Sequence, residues 1–503
     1  MTVVLLMVVF TGLGLAMLQA SGVHMKINGM RRLSVLLDGS SENGLKRGLH
    51  DLASWLEAEA LLAPVPAEAI EAVRADPPRG FSRMVEAALG SAFPRSLEES
   101  FDGMVWESRA DCGFRDLVDR GDYLRITAAL RIEASGGLVR ARPRRRSALV
   151  GSLGFLAGRL PLAAIPLYIE GGTGGDDGTS FAGENGIRLA DRPGELMAPG
   201  LAAASGGVLP GDAAGLAARA LNIGVFRPGD LSPARLREAL GLEATTDPVP
   251  DGVYLIRNDL GLGGIFVQGG LDEMILAVRG DAQIVVFRAA GREWRLEWSP
   301  ARSRTEFLTP EGAVFYDLVP LPILFVNGAI AALGGGAVGL DDRVEMCFDG
   351  GTPAVLNGLD LTIVSADRVT IASHLILEGV RWQDGIPYVR GSEAQLVIYA
   401  AGQDAITGER KEGGIAVAAG APAGTKIQAS LTAAAGGFRI EGSDRTVELL
   451  GALHADAYAG NGNGLTLYRD DRAATGLLPR FGPLTAEPHL AVFALRVESW
   501  EEY

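Results

Sequence analysis

Cysteine is almost missing: Cys112 and Cys347 are the whole complement of a 503-residue chain. That excludes a small disulfide-stapled fold and leaves two readings of the pair, buried free thiols or one bridge in an oxidising compartment. Histidine is sparse as well. His24, His50, His374, His454 and His489 fall at neither HExxH nor HxH spacing, so no local metal-site signature is present. A GxSxG nucleophile elbow and a Walker loop are also lacking. Lys and Arg number 46 against 61 Asp and Glu, and the net charge of −15 argues against nucleic acid as a partner. Nothing in the sequence calls for a cofactor, a metal or a small-molecule substrate.

Charge is missing altogether from Met1 to Ala20, MTVVLLMVVFTGLGLAMLQA. Twenty helical residues rising ~1.5 Å each span ~30 Å, the thickness of a bilayer hydrocarbon core. Three readings compete. A secretory signal peptide wants a basic leader, absent here, although the small residues near Ala20 would permit cleavage. The second is a simple membrane anchor, and the third is an apolar helix that continues unbroken into an amphipathic one. The pattern of residues 27–56 favours the third. Ile27, Met30, Leu33, Leu37, Leu45, Leu49, Leu52 and Leu56 run close to a helical period, with Glu42 and Lys46 at i, i+4. Gly29, Gly39, Gly44 and Gly48 weaken that helix by up to ~1 kcal/mol each and predict kinks or support from the body.

The stretch LLMVVFTGLGLAMLQASGVHMKINGMRRLSVLLDGSSENGLKRGLHDLASWLEAE resembles the N-terminus of PilX-type minor pilins and related type IV pilus assembly proteins. In that family an apolar run, a small-residue patch, a short polar segment and a helix succeed one another. ASGVHMKINGMRR at 20 to 32 carries the closest part, with Lys26, Asn28, Gly29, Arg31 and Arg32 as its motif positions. The resemblance implies a single-pass inner-membrane protein with its body outside the cytoplasm. Its partners would be the lipid bilayer, other pilin-like subunits and inner-membrane assembly proteins. Val4, Leu6, Phe10, Leu13 and Leu18 would exchange lipid contacts for close helix packing. The family's basic leader, peptidase-site Gly and early Glu do not precede this apolar run, and the first acidic residue after it is Asp38. The expectation is therefore a start upstream of Met1, or an anchor without prepilin processing.

Beyond the first sixty residues the chain divides by pattern. Residues 61–102 read as a helical linker punctuated by Pro64, Pro66, Pro77, Pro78 and Pro94. Residues 103–249 read as a mixed α/β region. There YLRITAALRIEA, a Gly136-Gly137 turn and LVRARPRRRSALVG suggest a hairpin. Arg140, Arg142, Arg144, Arg145 and Arg146 on its return strand suit either an anionic neighbour or a solvated, charge-protected edge. LGFLAGRLPLAAIPLYIE (153–170), broken by Arg159, Pro161 and Pro166, reads as buried strand and turn. LSPARLREALGL (231–242) reads as a short helix capped by Ser232 with Pro233 at its first position.

Residues 250–470 are uniform: short runs of Val, Ile, Leu, Phe and Tyr between turns rich in Gly, Asp and Asn. The fold class is thus mainly β with an N-terminal α-helix. The small residues and the pattern LTIVSADRVTIASHLIL suit a parallel β-solenoid, with a β-sandwich as the alternative. The last segment, 471–503, reads as a tail ending in a packing strand, FALRVESWEEY, with Trp500 as an anchor.

Several features invite chemistry, each with a plainer reading beside it. Asp176 and Asp177 in GGTGGDDGTS offer hard oxygen ligands for calcium, without an EF-hand's spacing. His374, His454 and Asp456 could share one surface for acid–base work, or be isolated strand-end residues. GGGAVG (334–339) matches GxGxxG but opens no helix, so a turn fits better than a dinucleotide site. DLGLGGIF and GNGNG read as turns. Asp404, Glu441, Asp444 and Asp456 could serve polysaccharide cleavage if two converged. Two function classes result. One is a non-enzymatic structural or assembly component, minor-pilin-like, of a type IV pilus or type II secretion-like system. The other is a membrane-tethered β-solenoid that binds or cleaves surface polysaccharide, weakened by only 6 Trp and 9 Tyr.

Overall fold

A computed structural model describes residues 45–49, 52, 63–89, 95–101, 104–138, 144–165, 167–169, 187–190, 209, 213–258, 261–383, 386–389, 391–460, 462–470, 472 and 477–502. The chain is mainly β. It forms two compact units, one of residues 1–120, 124–155 and 494–503, the other of 121–123 and 156–493. Among the described residues, no helix is long and apolar enough to cross a membrane. Val4, Leu6, Phe10, Leu13, Leu18, Lys26, Asn28, Gly29, Arg31 and Arg32 lie outside the described residues.

The first unit is built on a six-stranded sheet whose order is 63–64, 489–502, 144–158, 123–138, 104–119, 95–101. Strand 123–138 owes its place to strict alternation. Leu124, Ile126, Ala128, Leu130, Ile132 and Ala134 are all buried, as period-2 patterning requires. Gly136 and Gly137 are still within that strand, opposite Trp106 and Val105, so the chain does not turn at them. Helices α1 (Ala67–Ala75) and α2 (Pro77–Leu89) occupy most of the span read as a linker. They meet closely because Gly80 has no Cβ to strike the backbone of Ala72 and Val73. Phe81 of α2 sits edge-on to Phe155 at 5.3 Å. The C-terminal strand, 489–502, joins this sheet.

The second unit holds two long stacks of strands, numbered here along the chain. They are β1 (Gly261–Gln268), β2 (Glu273–Arg279), β3 (Ile323–Asn327), β4 (Ile330–Val338), β5 (Asp360–Ser365), β6 (Val369–Ile371) and β7 (Gln395–Ala400). Next come β8 (Ile415–Val417), β9 (Gly424–Ala433), β10 (Phe438–Ile440), β11 (Thr446–Ala455), β12 (Tyr458–Ala459) and β13 (Gly464–Arg469). The odd strands pair in parallel, each with the next odd one. The even strands do the same. An antiparallel meander, 282–289, 292–299, 304–309 and 312–316, extends the even stack beyond β2.

One apolar core contains side chains of both stacks, with Leu361, Ile363, Leu396, Ile398, Ile427 and Leu431 from odd strands and Val369, Ile371, Ile415, Val417 and Phe438 from even ones. Alternate residues of the odd strands face the other way. Phe266, Phe325, Val364 and Tyr399 form a second cluster with α3 (Ala213–Leu221) and α4 (Pro233–Ala239). Ser232 caps α4 through its hydroxyl, which accepts the Arg235 N–H, and Pro233 opens the helix. Residues 153–165 and 167–169 are buried strand and turn, with Leu160, Leu162, Ile165, Leu167 and Ile169 in the interior.

Candidate functional site

On β5, β7 and β9 the face turned away from the core between the stacks carries Asp360, Thr362, Gln395, Gln428 and Ser430. Register sets Asp360 opposite Gln395 and ranks Thr362, Val397, Ser430 and Ala452 across four strands. A neighbouring row runs Gln428, Leu450, Tyr468, and the next Lys426, Glu448, Thr466. Asp360 Oδ1, Thr362 Oγ1, Gln395 Oε1, Gln428 Nε2 and Ser430 Oγ are buried without a hydrogen-bond partner, five of the nine such atoms among the described residues. Each such atom costs ~1–3 kcal/mol when nothing pairs with it, so their concentration on three adjacent strands marks a site.

A cavity of ≈ 30 Å³ lies against three of these residues, Gln395, Gln428 and Ser430, and is lined also by Leu450, Asp470 and Arg472. Gln428 is oriented by its other end: Oε1 accepts the Leu377 N–H at 2.7 Å. The same device occurs at Gln283, whose Oε1 accepts the Leu356 N–H at 2.8 Å. There, however, Nε2 is fully employed by the carbonyls of Ala277, Ile284 and Ala354. Arg472 donates from Nη2 and Nε to Asp470 at 2.6 and 2.9 Å, and from Nη1 to the carbonyls of Ala394 and Ser392 at 2.7 and 3.1 Å. The charges of this pair cancel at the cavity wall.

Tyr468 ends the row that begins at Gln428, and Lys426 begins the row that contains Glu448. Trp382 meets Tyr468 edge-on at 5.3 Å, and the Lys426 ammonium lies 5.0 Å from the Trp382 ring centre. Trp382 Nε1 is itself buried without a partner. Burial raises the Glu448 carboxyl, against the opposing pull of Lys426. Burial also raises Asp360, opposed by the Arg480 N–H that donates to its Oδ2. The assembly therefore offers donors and acceptors to a neutral polar group.

The residues singled out by pattern are placed elsewhere. His454 is fully buried and bonded to Ile165 and Thr432, whereas His374 accepts the Lys426 N–H at 3.0 Å and packs by Gly350. Asp456 is exposed, so no His/Asp surface forms with His454. Asp404 caps a turn through the N–H groups of Ile406 and Thr407, and Glu441 pairs with Arg439 at 3.2 Å. Asp444 holds a left-handed turn position at φ 56°. None of the four carboxylates lines the cavity. Gly334, Gly335 and Gly336 sit inside β4, where an added Cβ on Gly335 would lie 2.6 Å from the His374 carbonyl oxygen. Close strand packing, not a phosphate, explains them.

Asn463 of GNGNG is a buried clamp, accepting the Arg445 N–H and donating to the carbonyls of Ile440 and Gly442. Both cysteines are free, and burial pushes the Cys112 thiol up to about 12. Asp176 and Asp177 lie outside the described residues, as do Arg140 and Arg142. Among the described residues no cluster of three or more His, Cys, Asp or Glu is arranged to hold a metal ion.

Gln395, Gln428 and Ser430 drew no notice in the sequence. For Gln428 and Ser430 the signal that could have found them is polar residues at alternate positions of TKIQASLTA, a strand otherwise built for burial on both faces; Gln395 opens the strand QLVIYA and has no such pattern around it. No family model, curated protein or solved structure matches the chain.

Proposed function

We propose that this protein is a membrane-anchored structural or assembly component, minor-pilin-like, of a type IV pilus or type II secretion-like system, with a parallel β-solenoid as its body. The observation that carries the reading is the uncharged run Met1–Ala20, long enough to span a bilayer, ahead of a large folded chain. Support for a solenoid body comes from the alternation of successive strands between two parallel stacks, which an antiparallel sandwich does not produce. Such a stack buries a continuous core and suits a rigid displayed body. The anchor would sit in the inner membrane as a single pass, and its apolar side chains would pack against neighbouring pilin-like subunits.

The test has two parts. Intact mass and N-terminal sequencing of the protein from its native membrane should find an N-terminus that retains the apolar run. Deleting the gene should reduce pilus number, twitching or secretion. Cleavage near Ala20 with release of the body, or unchanged pili and secretion in the deletion strain, would overturn the assembly reading.

A further inference from the structure

We infer that the cavity on the outer face of β7, β9 and β11 is a binding site for a pair of adjacent hydroxyl groups on a neutral saccharide. Its lining presents an unpaired donor in Gln428 Nε2, an unpaired acceptor in Gln395 Oε1 and an unpaired hydroxyl in Ser430. All three residues are more than nine-tenths buried, with exposures of 0, 7 and 7%. A sugar hydroxyl both donates and accepts, so one such group can satisfy an amide N–H and an amide carbonyl together. A carboxylate would leave Gln395 Oε1 facing negative charge, and an ammonium would leave Gln428 Nε2 facing positive charge.

Charge and size agree with that class. Asp470 and Arg472 neutralise one another at the wall, so the lining has no net charge to hold an ion. The ≈ 30 Å³ cavity admits about two water-sized groups at ~10–15 Å³ each, which matches a vicinal diol and excludes a whole sugar ring. The rest of the ring would stay outside. Tyr468 of β13, in the same row as Gln428 and Leu450, meets Trp382 edge-on, and this aromatic pair would offer an apolar surface to its C–H groups. Saccharide binding here does not require that the chain be a pilus subunit.

Isothermal titration of the full-length protein with glucose, galactose and mannose, and with glucuronate as an anionic control, tests the site. Weak binding of at least one neutral hexose is expected, with glucuronate weaker. Ser430→Leu, which fills the cavity, should lower affinity by about tenfold or more, and so should Gln428→Leu. Melting curves identify any variant that fails to fold, and Ser430→Ala, the smallest change, then gives the reading. Two results overturn the inference. One is the absence of heat with every neutral sugar while Ser430→Ala raises the melting temperature, which would mean that water alone pairs these atoms. The other is glucuronate binding more tightly than the hexoses.

Discussion

His454 and Ile165, almost three hundred residues apart in sequence, are joined by a hydrogen bond of 2.6 Å between Nε2 and the backbone carbonyl. A carbonyl only accepts, so Nε2 carries the proton and Nδ1 accepts from the Thr432 hydroxyl at 3.2 Å. The imidazole is fully buried and neutral, and burial lowers it to about 4. Below pH 6.5 the unfolded chain takes up a proton at this residue that the folded chain refuses. Stability present at neutral pH is thus lost progressively as pH falls from 6.5 toward 4. The full loss is about 3 kcal/mol for this group. His374 and His489, also lowered by burial, act in the same direction. Urea midpoints at pH 7 and pH 4.5 should differ strongly in the native protein and less in His454→Gln; an unchanged pH difference in the variant would refute the assignment.

Phe325 stacks on Phe266 at 5.7 Å and 3° in parallel register, beneath α3 and α4. Truncating either to Ala should cost ~3–5 kcal/mol, and a double-mutant cycle should show coupling of ~0.5–1.5 kcal/mol. Additive single effects would mean that the two rings are held by their separate surroundings.

Gly335→Val should destabilise the protein by ~1–3 kcal/mol, because the side chain must displace the His374 backbone. The same change at Gly420, which has no atom within 4 Å of an added Cβ, should cost far less. Thermal melts of the two variants side by side check the contrast, and equal losses would contradict it.

Arg295 bonds Glu297 at 2.9 Å and Asp342 at 3.2 Å, with its side chain 10% exposed against 61% for Asp342. Among the described residues, removing the guanidinium leaves the half-buried Glu297 with Arg279 as its cation, so Arg295→Ala should cost ~2–4 kcal/mol. Asp342→Asn, at an exposed carboxylate, should cost less than ~1 kcal/mol. Chemical denaturation of both variants orders the two effects, and the reverse order would refute this account.

Local pattern carried a large part of the fold. Alternation in YLRITAALRIEA was enough for a strand, and Ser232 with Pro233 was enough for the start of a helix. The runs of β-formers after residue 250 announced a mainly β body, because each strand's propensity and its flanking glycines are properties of a few adjacent residues. Gly136-Gly137 shows the limit: two glycines permit a turn but do not compel one, and pairing with Trp106 and Val105 kept them in a strand.

Composition by itself determined that the chain is acidic, poor in cysteine and metal-ligand motifs, and headed by twenty uncharged residues. Those are sums over side chains and need no geometry. Only tertiary structure decided which residues meet. Asp360, Gln395, Gln428 and Ser430 come from strands tens of residues apart, and parallel register alone brings them to one face. It likewise put Asp404, Glu441 and Asp456 at turns and ion pairs away from the cavity. Whether a buried polar atom finds a partner depends on the strands stacked beside it, and no single stretch of sequence contains that information.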